Sequence, residues 1–138
     1  MKSNSLLLTL GFLLLSAAGT LQSCSPKFDK IGFENISNLG TKLTDLMSLA
    51  TEPYSKHKDT ATTLLANLGK AYDHAKGVKG NKEIAESWRI LKDELAGPFF
   101  ARWQEKGKLD KDFVKESVAQ VAKSVTAITN AEKAKKKK

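Results

Sequence analysis

The stretch FENISNLGTKLTDLMSLA, residues 33–50, sets Ile36, Leu39, Leu43, Leu46, Met47 and Ala50 three or four residues apart. That spacing returns each side chain to one face of a 3.6-residue helix, whereas a half-buried strand needs a period of two. The expectation is an amphipathic helix over 33–50, weakened slightly by Gly40 inside it. The helical period runs through almost everything that follows, and no stretch after Gly32 alternates as a half-buried strand would.

Working outward, a second helix is expected to open at Pro53, whose missing N–H suits the first helical position, with Thr51 or Glu52 as its cap. Its stripe is Tyr54, His57, Ala61, Leu64, Leu65, Leu68, Ala71, Tyr72 and Ala75, and it ends in Gly77-Val78-Lys79-Gly80. Asn81 is the expected cap of a third helix bearing Ile84, Trp88, Leu91 and Leu95. Gly97-Pro98 then kinks or splits that helix, because proline lacks an N–H and its ring meets the carbonyl four residues back. A short continuation with Phe99, Phe100 and Trp103 closes at Gly107, and Asp110 caps a fourth helix that carries Phe113, Val114, Val118, Val121, Val125 and Ile128. Four such segments joined by connections of about 2 to 6 residues favour antiparallel neighbours. The fold class expected is therefore all-α, an antiparallel up-down four-helix bundle with its third helix kinked or split at Gly97-Pro98.

Ahead of this body stand Lys2, an apolar run from Leu6 to Leu15, a small and weakly polar stretch from Ser16 to Ser23, and the only cysteine of the chain, Cys24. The unbroken apolar part is about 10 residues, half of the roughly 20 that a spanning helix needs. Leu21-Gln22-Ser23-Cys24 resembles the lipobox of bacterial lipoproteins, with the basic residue, the apolar run, leucine at minus three and serine at minus one in register. The resemblance covers about the first 25 residues. It implies that the bond before Cys24 is cut and that Cys24 becomes an N-terminus carrying palmitate-type fatty acyl chains, each buried methylene adding about 0.8 kcal/mol to membrane attachment. Ser25 in place of aspartate resembles the outer-membrane sorting pattern of enteric lipoproteins. The alternative is an ordinary secretory leader cut near Ser16-Ala17-Ala18, which would leave Cys24 as a lone thiol. The domain plan expected is a leader over 1–23, a lipidated N-terminus and tether over 24–31, a helical bundle over 32–132 and a lysine-rich tail over 133–138.

Of the 23 lysines and arginines, 22 lie after Cys24 together with all 15 acidic residues, an excess of seven positive charges. Removing Lys133, Lys135, Lys136, Lys137 and Lys138 lowers that excess to two. The basicity is a terminal feature on a nearly balanced body, which argues against nucleic-acid recognition by the body as a whole. Lys135 to Lys138 form either a solvated terminus or a mobile polycation drawn to anionic lipid or polysaccharide.

Catalytic constellations are missing from the sequence. His57 and His74 are 17 residues apart, roughly 25 Å along one helix, and cannot share a metal. No Glu-x-x-His repeat, haem-attachment motif, phosphate loop or nucleophile elbow occurs. No enzyme, cofactor or metal is expected. The one unusual concentration is aromatic: Phe99, Phe100, Arg102 and Trp103 around Pro98 form either the end of the core or an exposed partner-binding patch. Consecutive Phe99 and Phe100 cannot both face one direction on a regular helix, so one of them is expected to be partly exposed. Three functions fit this sequence. They are a lipid-anchored adaptor for an envelope protein, a structural tether similar in plan to murein lipoproteins, and a carrier holding a small ligand inside the bundle.

Overall fold

The computed structural model describes residues 27–137. Helix α1 (Lys30–Ser48) leads through a single 3-10 turn (Tyr54–Lys56) to α2 (Lys58–Gly77). A third rod follows, made of α3 (Lys82–Arg89), a π-helical segment (Ile90–Ala96) and α4 (Gly97–Lys106), and α5 (Lys111–Ala134) completes the set. Each rod packs against the next and α5 returns to α1, which closes an antiparallel four-helix bundle. None of the helices among the described residues is long and apolar enough to cross a membrane.

The stripes read from the sequence become the core. Ile36, Leu43 and Met47 of α1, Leu68 of α2, Trp88 and Leu91 of the third rod, and Val121 and Ile128 of α5 are all buried and share one cluster. Gly40 acts there as a spacer. A Cβ at position 40 would collide with Val125 Cγ1, so the missing methyl lets α1 and α5 approach each other closely.

The second helix starts later than the sequence suggested. Pro53 holds an extended ψ of 126°, and α2 begins only at Lys58. The reason lies in competing partners: Tyr54 donates its N–H to the Gly107 carbonyl at 2.7 Å, and Trp103 Nε1 donates to the Glu52 carbonyl at 2.9 Å. Leu109 donates to the Ala50 carbonyl in the same corner, so the two loops at this end of the bundle are knitted into one.

Gly97-Pro98 neither breaks nor sharply ends the third rod. The distortion appears one turn upstream as the π segment, in which the Gly97 N–H reaches back five residues to the Lys92 carbonyl. The wider turn lets the rod run on past Pro98, which has no N–H to donate. A Cβ at Gly97 would meet the Lys92 oxygen at 3.0 Å, so glycine before the proline fits that close carbonyl. Arg89 spans the transition, bonding Glu86 at 2.6 Å and Glu94 at 2.7 Å. Gly107 takes φ 76° to end the rod, and Asp110 caps α5 by accepting from the Asp112 and Phe113 amides.

Candidate functional site

The aromatic group lies inside the bundle. Phe99 is 4 % exposed, Phe100 1 % and Trp103 0 %, so the expectation that one phenylalanine is partly exposed is corrected. The two rings find different neighbours. Phe99 stacks on Phe113 of α5 with centroids 6.0 Å apart, while Phe100 stacks on Trp103 at 6.1 Å. A rod wedged between others on more than one side can bury two consecutive residues. Arg102 alone of the four is exposed, with its guanidinium 4.4 Å from the Phe113 ring centroid. The interior also holds Trp88, whose Nε1 is buried with no hydrogen-bond partner among the described residues.

A second cluster sits at the other end of the bundle, where both ends of the described chain meet the α2–α3 turn. Asp29 Oδ2 lies 2.8 Å from His74 Nε2. Asn81 does not cap α3 with its side chain; it is buried, donates Nδ2 to the Ala75 carbonyl at 3.1 Å and accepts from Lys135 Nζ at 2.5 Å. Lys135 Nζ also stands 2.9 Å from Glu132 Oε2, and Glu132 is fully buried. The contact is an ion pair rather than an aligned hydrogen bond, since neither Glu132 oxygen has a directed partner among the described residues. Gly32 makes room for the two carboxylates, because a Cβ there would stand 2.5 Å from Asp29 Oδ2 and 2.8 Å from Glu132 Oε1.

The two acids are tuned in opposite directions. Burial pushes the Glu132 carboxyl above its ordinary range, with Asp29 adding to the rise and Lys135 and His74 opposing it. Burial also acts upward on Asp29, but the Gly32 amide, the His74 ring and the Lys135 charge outweigh it and hold the carboxyl below its ordinary value.

This cluster changes the reading of both termini. Lys133 belongs to α5, Lys135 is 6 % exposed, and Lys136 places its ammonium 4.4 Å from the Phe28 ring centroid. Lys135 is thus a structural residue and not part of a solvated or mobile tail. Helix α1 begins at Lys30, inside the stretch read as tether. Cys24 and Lys138 lie outside the described residues. His57 is a bundle-end histidine, 2.8 Å from Glu52 Oε2, with its ring tilted against that of Trp103 at 5.4 Å. Among the described residues no group of three or more His, Cys, Asp or Glu could hold a metal ion.

A largely apolar groove of about 630 Å³ opens between α1 and α2. Leu46, Leu49 and Leu64 form its floor, and Asp45, Asp59 and Lys42 stand at its edge. Leu49 is 41 % exposed, unusual for a leucine flanked by core positions. Sequence reading missed it because position 49 lies off the α1 stripe. With the geometry established, the comparisons add no relative: no protein-family model, curated protein or solved structure matches this chain.

Proposed function

We propose that the chain is a lipid-anchored, non-enzymatic helical binding module that holds a protein partner at a bacterial membrane surface. The observation that carries this reading is the placement of Leu21-Gln22-Ser23-Cys24, with only residues 25–29 between it and the start of α1 at Lys30. A lipidated Cys24 accounts for the single cysteine and for the apolar leader together.

The partner surface is the groove between α1 and α2. Its volume falls within the range of about 300 to 1,000 Å³ typical of binding clefts. An exposed leucine beside two carboxylates suits a partner segment that offers an apolar side chain flanked by a basic residue. The aromatic residues Phe99, Phe100 and Trp103 serve this function only as packing, since their faces are taken up by one another and by Phe113.

Affinity capture of the lipidated protein from membranes, with mass spectrometry, tests the reading. An envelope protein recovered in stoichiometric amount with the native chain and lost with Leu49→Lys supports the adaptor. Recovery of a muropeptide joined to the C-terminal lysine, or of a co-purifying chromophore or lipid in place of a protein, would contradict it in favour of a tether or a carrier.

A further inference from the structure

The end of the bundle nearest Cys24 has a surface of its own. Ile31, in the first turn of α1, is 57 % exposed, and Leu49 at the far end of the same helix is the other large apolar side chain so exposed among the described residues. At the same end of the bundle the Phe28 and Phe33 rings lie 6.1 Å apart. Lys136 stands over both, at 4.4 Å and 5.1 Å from their centroids, and Lys133 stands 6.0 Å from Phe33. Ammonium groups over ring faces are cation–π contacts, and they hold positive charge beside apolar surface, a pairing suited to the boundary between an apolar layer and water.

The local charge is one-sided where it is free. Lys27, Lys133 and Lys136 are exposed, Lys30 and Glu34 pair with each other at 3.6 Å, and the other nearby carboxylates are engaged, Asp29 by His74 and Glu132 by Lys135. Only Ser25 and Pro26 stand between Cys24 and Lys27, and three chain steps reach at most roughly 10 Å. A headgroup layer is about 5 to 8 Å deep on each side of a bilayer. An acylated Cys24 therefore brings this end of the bundle against the headgroups without any long tether.

We propose that the face formed by Ile31, Phe28, Phe33, Lys30, Lys133 and Lys136 docks on anionic phospholipid, so that the bundle stands end-on upon the membrane. The proposal rests on the reading of Cys24 as the acylated residue. Lipid is the better occupant than polysaccharide because an exposed isoleucine gains from an apolar layer and nothing from a sugar surface. The α1–α2 groove lies along the side of the bundle and stays open to a partner in this posture.

The test uses the full lipidated protein with a single introduced thiol, Ile31→Cys, carrying an environment-sensitive nitrobenzoxadiazole dye. Glu105→Cys, near the opposite end, is the control. On vesicles of phosphatidylcholine with phosphatidylglycerol, aqueous dithionite should quench the dye at position 31 about fivefold more slowly than at position 105. That protection should fall on phosphatidylcholine alone, in the triple variant Lys30→Glu, Lys133→Glu, Lys136→Glu, and at high salt, which screens the attraction without altering the chain. Equal quenching at both positions on the anionic vesicles overturns the proposal, as does protection that ignores lipid charge or that arises only on isolated polysaccharide. Dye stoichiometry separates this failure from failure of the anchor. One dye per chain fits an acylated Cys24, whereas two dyes mean a free Cys24 thiol and overturn the anchor and the docking geometry together.

Discussion

Glu132 occupies the place where the stripe Val121, Val125, Ile128 would put one more aliphatic side chain on α5. Its carboxyl is buried there with Lys135 as counterion, one turn away at the ion-pair spacing. Removing one member of a buried pair leaves the other charge uncompensated, and such losses run to about 3 to 5 kcal/mol. Lys135→Met should destabilise the fold by that order, Glu132→Gln should cost less because burial already favours a neutral group there, and the double variant should cost well below the sum. Denaturant unfolding of the four proteins checks this, and additive losses would contradict the coupling. Asp29 and Glu132 also give acid titration two opposing signs. Asp29, held below its ordinary value of 3.8, contributes stability above that value and loses it as pH falls through the lowered one. Glu132, raised above 4.5, favours the fold fully below that value and loses its contribution as pH rises through the raised one. On acidification from about pH 5 to about pH 2, Asp29→Asn should therefore lose less stability than the native chain. An equal loss in both, read from denaturant midpoints, would refute that role. The Glu132–Lys135 spacing could be seen in the sequence, since a charge on an apolar stripe followed by its opposite three residues on is a local pattern. The bond from His74 to Asp29 spans 45 residues and leaves no such trace.

At the scale of elements, α1 and α5 were legible from their periodic stripes, and Asp110 and Gly107 mark boundaries where the chain's own chemistry decides. The start of α2 was not legible. Its first turn is decided by partners on α4 and in the loop after it, at Trp103 and Gly107, and local propensity yields to those hydrogen bonds. The π segment escaped for a related reason: Pro98 signals a disturbance, but whether the rod breaks or widens depends on the neighbours that hold it straight. Glycines make the same distinction between local and tertiary control. A methyl added at Gly69 of α2 would have nothing within 4 Å, so Gly69→Ala should stabilise by about 0.5 to 1 kcal/mol through helix propensity alone. Gly40→Ala drives a methyl into Val125 and should instead destabilise, since overpacking costs about 1 to 3 kcal/mol and outweighs the propensity gain. Val125→Ala in the same chain should recover part of the loss. Thermal melts that move in the same direction for both glycines would contradict the close approach of α1 and α5.

For the whole molecule, the charge that composition suggests for a free tail is partly built into the bundle's end. Lys135 is buried and Lys136 lies over aromatic rings, and the same end receives the chain from Cys24. Fold class came readily from the sequence because packing in a helical bundle follows a short repeat. The binding surface did not, because a groove between two helices is a property of their separation and not of either stripe. The aromatic concentration around Pro98 drew attention for its composition, yet burial of Phe99, Phe100 and Trp103 assigns those rings to the core, where truncating one costs about 3 to 5 kcal/mol. The proposed function stands on acylation of Cys24. Intact-mass analysis of the protein extracted from membranes tests that most directly: a chain that begins at Cys24 and carries fatty acyl mass is expected, and an unmodified mature terminus at any other residue would contradict the anchor.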